Sequence, residues 1–253
     1  MTREIYGFQG TLPFGKPLAL SASEDRWFNW FRGRFAMKDY RSWTDFKEKH
    51  LFSVMEMQLQ ELENRGCEFI LIARGSKMPL IGTTWKNKSA SMDQIMAWIR
   101  KKGGNLAVVS KRSNIFVVDL DPEPAFINGE YRFLSPTSRK HITKLSKATT
   151  YWLPFLKETF CVKTPRGIHL WFKASGISRD LEERLDKLNV RSDIFRKGNQ
   201  YELIPPSVIT QEQIDITNRK RKDLGQNPVN WKEGSYDYVN FEKPFLPLEK
   251  ALS

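Results

Sequence analysis

The spacing of apolar residues changes period several times along the chain, and each change predicts an element. From Trp43 to about Asn64, "WTDFKEKHLFSVMEMQLQELEN", the positions Phe46, Leu51, Val54, Met55, Leu59 and Leu62 recur at helical spacing, and Arg65-Gly66 stops the run. This predicts a covering helix with His50 on its solvated side. Strands and helices then alternate. "CEFILIA" reads as a strand and "SMDQIMAWIRKKGG" as a helix opened by Ser91 and closed by glycine. "NLAVVS" and "NIFVVDLD" read as strands joined by the tight link Lys111 to Ser113. "SPTSRKHITKLSKATTYWLPFLKE" reads as helical up to Pro154, with His141 at its surface. "FCVKT" and "IHLWFKA" form two strands around Pro165-Arg166-Gly167, followed by a helix, "SRDLEERLDKL". "VRSDIFRK" and "QYELIPPS" form two more strands, joined by Gly198-Asn199. Short antiparallel pairs mixed with helices predict an α+β domain with a curved mixed sheet flanked by helices, preceded by an extra helical N-terminal segment.

The strand "NIFVVDLDPE" ends in two carboxylates separated by one leucine. Side chains at i and i+2 share a face, so Asp119 and Asp121 project together while Leu120 points the other way. Such a pair repels itself unless a cation offsets it, and a divalent metal held by carboxylate oxygens is the usual agent. An Asp-Pro turn closing the strand at Pro122 is the plainer alternative.

Composition narrows the partners. The chain has 253 residues, 40% of them hydrophobic, and a net charge of +12, which favours polyanions, with nucleic acid first among them. No apolar run approaches the length of a spanning helix, and "MTREIYGFQG" lacks the hydrophobic core of a signal peptide, so a soluble cytoplasmic protein is expected. Cys67 and Cys161 sit in apolar surroundings, as buried reduced thiols would. Near the N-terminus, "RWFNWFRGRFAMKDYRSWTDF" interleaves aromatic and basic residues, either as a packed layer or as a base-stacking surface. The run "NRKRKDLG" after Ser207 is either a solvated helix face or a phosphate-contacting patch.

Three later fragments bear on the carboxylate pair. In "TPRGIHLWF", His169 opens a strand after a turn carrying Arg166. In "RSDIF", Asp193 is set among Arg191, Arg196 and Lys197, and in "YELIPPS" two prolines end a strand abruptly. This order, a strand ending in "DLD" and then the three fragments, resembles the primase-polymerase (prim-pol) domain of the archaeo-eukaryotic primase superfamily, found in plasmid and viral replication proteins. Upstream, "ARGSKMPLIGTTW", "SMDQIMAWI" and "NLAVVSKRSNIFVVDLD" are similar to its lysine-proline-tryptophan segment, helix and first motif. The resemblance spans roughly Cys67 to Ser207. Gly167 stands two places before His169, where the superfamily often has serine, and the cysteines and histidines cannot build the zinc-binding stem of some members, so no zinc is expected.

The resemblance implies a metal-dependent DNA primase/DNA polymerase, a nucleotidyltransferase with two Mg²⁺ or Mn²⁺ ions on Asp119, Asp121 and Asp193 as catalytic and metal residues. It implies that His169 and Arg166, with Arg196 and Lys197, bind the phosphates of the nucleotide. Partners would be DNA template and primer, nucleoside triphosphates, and a helicase or accessory helical domain outside this chain, in prokaryotic or viral replication. The expected organisation is an N-terminal extension over 1–65, a catalytic core over 66–210 and a basic C-terminal segment over 211–253 packed on the core. A metal-dependent nuclease or a DxD glycosyltransferase could use the same acids. A DNA-binding replication-initiator module with secondary catalysis is the reading from a different class.

Overall fold

An antiparallel sheet and a mixed sheet face each other across a shared apolar core. The computed structural model describes residues 43–80, 85–120, 123–127, 130–134, 147–188, 200–229 and 231–253. The aromatic-basic stretch before Trp43, His141, Asp121 and the predicted strand "VRSDIFRK" with Asp193 all lie outside the described residues. In chain order the elements are α1 (Trp43–Asn64), β1 (Phe69–Ile72), α2 (Met92–Lys102), β2 (Asn105–Val109), β3 (Ile115–Leu120), β4 (Glu123–Ile127) and β5 (Glu130–Leu134). Then come α3 (Lys147–Trp152), a 3₁₀ turn (Leu153–Lys157), β6 (Cys161–Lys163), β7 (Ile168–Lys173), α4 (Arg179–Lys187), β8 (Tyr201–Ile204) and β9 (Val208–Ile209). The chain closes with α5 (Gln211–Asp223), β10 (Gly234–Ser235), β11 (Asp237–Tyr238), β12 (Leu246–Pro247) and α6 (Leu248–Ala251). The mixture of antiparallel sheets and helices is the α+β class that the alternating pattern predicts.

The first sheet runs β1-β2-β8, antiparallel throughout. In the second, β7 is flanked by β3 on one side and by β6 and then β12 on the other, with β11 outside β6. Pleating separates the faces of this second sheet. Ile115 and Val117 of β3 and Trp171 of β7 point into the core shared with β1, β2 and β8, together with Leu106, Val108, Leu203 and Ile204. Phe116, Val118 and Leu120, with Ile168, Leu170 and Phe172, point the other way, onto Trp152, Leu156, Leu185 and Leu248. Each fully buried large side chain contributes about 1.5–3 kcal/mol, so the two clusters supply the main cohesion.

Local signals explain most boundaries. Ser91 caps α2 in a reciprocal capping box with Gln94, and Gly103 ends the helix in the left-handed conformation, φ 56°. Asn114 takes φ 52° in the β2–β3 link, a conformation that asparagine tolerates. Helical structure near Pro154 does not stop there but tightens into the 3₁₀ turn, because proline fits the first positions of a new turn, where no donor is needed. The hairpin β4–β5 was not predicted; prolines at 122 and 124 mask its alternation. Cys67 and Cys161 are buried free thiols, and burial pushes the Cys67 thiol up to about 12 and raises Cys161 further. Among the described residues no helix is long and apolar enough to cross a membrane.

Buried polar side chains tie the parts together. Asn105 donates to Ser76 O (2.8 Å) and Val208 O (2.6 Å) and accepts from Val208 N (2.9 Å). Asn240 accepts from Cys161 N (2.7 Å) and donates to Leu156 O and Thr159 O (2.9 and 2.8 Å), clamping the C-terminal segment to β6. Arg65, just past α1, donates to Lys243 O and Phe241 O (2.8 and 3.0 Å) and lies 5.0 Å from the Phe241 ring centroid. Such groups are satisfied because an unpaired buried polar atom would cost free energy.

The Trp98 indole fills the space beside Gly104 while its Nε1 donates to Ile72 O (3.1 Å). A methyl group at Gly104 would fall inside that ring. Gly104→Ala should therefore destabilise the fold by about 1–3 kcal/mol through overpacking. Urea denaturation measures this as a lower midpoint at unchanged slope.

Candidate active site

The pairing of β3 with β7 sets Asp119 directly opposite His169. On β3 the inward row is Ile115, Val117, Asp119; on β7 it is His169, Trp171, Lys173. The polar pair therefore continues an apolar row at the point where the core between the sheets opens. Leu120 falls on the opposite face at 4% exposure, as the strand period predicts. His169 Nε2 lies 3.6 Å from Asp119 Oδ1, and Nδ1 lies 3.6 Å from Glu202 Oε2 on β8 of the facing sheet. The imidazole thus bridges two sheets. It is buried, whereas the Asp119 side chain is 62% exposed.

Two further elements close around this pair. The β6–β7 turn is organised by Thr164, whose Oγ1 accepts from Gly167 N (2.9 Å) and Arg166 N (3.2 Å). It brings Arg166 close enough to act on the Asp119 charge. Lys77 arrives on the turn after β1, held where the Tyr201 hydroxyl donates to Lys77 O (2.8 Å) and Asn105 donates to Ser76 O. Its Nζ stands 6.0 Å from the centroid of the Tyr236 ring. A cavity of about 350 Å³ lies beside the pair, lined by Lys77, Gln200, Tyr201, Glu202, Trp231 and Tyr236.

The local electrostatics follow from burial. Desolvation raises the Asp119 pKa above the usual carboxylate range, opposed by Lys77 and then Arg166. A carboxylate this open keeps part of its hydration, so solvent screening limits the rise. Glu202 is also raised, mainly by desolvation, with His169 and the Gln200 amide pulling it back down. Burial pushes the Tyr201 hydroxyl up to about 12 and Tyr236 well above its ordinary value, so both are neutral donors at neutral pH.

Of the predicted site residues, the structure brings together Asp119, His169 and Arg166. Asp121, Asp193, Arg196 and Lys197 lie outside the described residues. Of the three predicted metal ligands the described part holds one, Asp119, whose carboxylate faces solvent. Among the described residues no cluster of three or more His, Cys, Asp or Glu side chains has metal-ligand spacing. Sequence reasoning missed Glu202, Lys77 and Tyr236. Glu202 had a signal: a lone acid inside the apolar run "YELI", on the strand's other face from Leu203.

The family model described as bifunctional DNA primase/polymerase, N-terminal (Prim-Pol) matches residues 59–230, which include β3, β7, β8 and the turns carrying Lys77 and Arg166. No curated protein matches the chain.

The raised Glu202 has a consequence for stability. Because its pKa is higher folded than unfolded, the native state binds the proton more tightly. Below the ordinary value of 4.5 both states are protonated and the group contributes nothing. From that value up to the folded pKa stability falls, because the unfolded state ionises while the native group stays protonated, and above the folded pKa the cost is full. Glu202→Gln should leave the urea midpoint unchanged near about pH 4 and raise it near about pH 8. A midpoint difference that shrinks with rising pH would refute this sign.

Proposed function

Because the chain belongs to the Prim-Pol family of bifunctional DNA primase/polymerases through residues 59–230, we propose that it transfers nucleotides from nucleoside triphosphates to a primer 3′-hydroxyl on a DNA template, in plasmid or viral replication. Family membership carries the general assignment to primase/polymerase chemistry, with DNA and nucleotides as substrates. The observation that most supports the finer reading is the in-register pair Asp119–His169, flanked by Lys77 and Arg166 at the mouth of an opening between two sheets.

Nucleotidyl transfer asks a protein chiefly for positioning and charge stabilisation. Two Mg²⁺ or Mn²⁺ ions held by Asp119, Asp121 and Asp193 would activate the 3′-hydroxyl and stabilise the departing pyrophosphate. His169 and Arg166 bind the triphosphate from the β6–β7 side, with Arg166 suited to a forked contact on phosphate oxygens. Arg196 and Lys197 neutralise the remaining charge of the triphosphate or the template. The Lys77–Tyr236 cavity beside Glu202 is roomy enough for part of a nucleotide and has aromatic walls on which a base could rest. The net charge of +12 draws DNA to the site and favours its retention.

Asp119→Ala should lower primer extension by more than about a thousand-fold while leaving the fold intact. A labelled-nucleotide incorporation assay with Mg²⁺ or Mn²⁺ measures it, and retained incorporation in Asp119→Ala would sink the metal assignment. The same variant should bind DNA as well as the native chain or slightly better, since it removes a negative charge.

A DNA-binding module with secondary catalysis is supported by one observation, the basic run Arg219, Lys220, Arg221 and Lys222 toward the C-terminal end of α5, most of it exposed. Neutralising the four should flatten the dependence of log affinity on log salt by about 1 for each residue that contacts a phosphate. Gel-shift titrations across salt concentrations read this slope; an unaltered slope assigns the run to a solvated helix face.

A further inference from the structure

We infer that Glu202 is the positioning residue of His169, holding the imidazole by its Nδ1 edge so that Nε2 is presented on the Asp119 side, where phosphates bind. Glu202 sits on β8, locked to β2 by the register Glu202↔Val108 between Leu203↔Ala107 and Tyr201↔Val109. One carboxylate oxygen, Oε1, accepts from Gln200 Nε2 at 2.9 Å, which leaves Oε2 turned to His169 Nδ1 at 3.6 Å. The Tyr236 ring packs near the imidazole at 6.5 Å between centroids, limiting its swing. The distance of 3.6 Å is a contact short of a closed hydrogen bond, and such contacts in ligand-free sites tighten when substrate arrives.

Stability does not explain the acid. A mostly buried carboxylate next to an imidazole is a poor way to stabilise a sheet, and an aliphatic residue of similar volume would pack at least as well. Its specific effect is on the ring. An acceptor behind Nδ1 fixes the orientation of the ring and keeps a proton on that nitrogen, both in the neutral imidazole and in the doubly protonated ring whose Nε2–H can donate to a phosphate oxygen. The acceptor function survives whether or not Glu202 is ionised, because a neutral carboxyl keeps its carbonyl oxygen.

The catalytic consequence rests on the primase/polymerase reading, whereas the ring geometry does not, and the test separates them. The chain has three histidines. With ¹⁵N-histidine, the His169 ring signals are identified by their loss in His169→Ala, and long-range ¹H–¹⁵N spectra of the full chain report which nitrogen carries the proton. The native protein should show it on Nδ1. Glu202→Leu should shift it to Nε2 or to an averaged ring, and Glu202→Gln, which retains a side-chain oxygen acceptor, should keep it on Nδ1. In primer extension, Glu202→Leu should raise the nucleotide KM by about ten-fold, one good contact, with a smaller change in kcat, and Glu202→Gln should recover most of the loss. If Glu202→Leu fails to melt cooperatively, Glu202→Met takes its place. An unchanged His169 ring spectrum in the aliphatic variant overturns the inference, and so does a changed ring with an unchanged KM. Absence of any extension by the native chain refutes the proposed function instead, and the ring spectra still decide the geometry.

Discussion

The site depends on the register between β3 and β7. Six consecutive residue pairs, from Ile115↔Lys173 to Leu120↔Ile168, fix which side chains face the core between the sheets. A slip of one residue in either strand would turn its polar residue, Asp119 or His169, onto the opposite face and bring Leu120 or Ile168 into the opening. The apolar rows on either side guard against that slip, because Val117 and Trp171 belong to one buried cluster and Val118 and Leu170 to the other. Burial on both faces of the same two strands is what makes the position of two polar groups reliable.

From that register follows a meeting of distant parts. His169 reaches Glu202 because β8 lies across the shared core, and β8 lies there because it pairs with β2. The turn bearing Lys77 is tied to the same place through Asn105 and Tyr201. The resulting cluster is costly: two carboxylates are raised by desolvation, and cations temper only part of the effect. Such expense concentrates where a protein does chemistry, and here the sandwich around it provides the surplus.

Much of the fold was legible because it is written locally. The capping box at Ser91 and the glycine at 103 bound α2, the stripe from Val54 to Leu62 announced α1, and the continuous apolar runs announced β2, β3 and β7. The pairing of Asp119 with His169 was legible only through the order of the motifs. Glu202 was not read as part of the site at all, because its meaning comes from a contact across two sheets that no local spacing encodes. Lys77 stood in a segment noted for its resemblance, yet its approach to the carboxylates depends on buried Asn105, whose role is purely tertiary. The hairpin β4–β5 escaped for a different reason, since proline suppresses the alternation by which strands are recognised.

The C-terminal segment bears on how the chain reaches this state. β11 pairs with β6, and Leu246-Pro247 of β12 runs parallel to Phe172-Lys173 of β7, so the strand carrying His169 is completed by residues made much later. During synthesis β7 leaves the ribosome with part of one edge uncovered, and it stays so until residue 247 has followed. Non-local pairing of this kind is slow to form and exposes strand edges in the meantime. A nascent chain stalled before Asn240 would also lack the carbonyls that hold Arg65 and the Asn240 clamp on β6. The histidine strand therefore acquires its final surroundings only once the residues through Pro247 have been made.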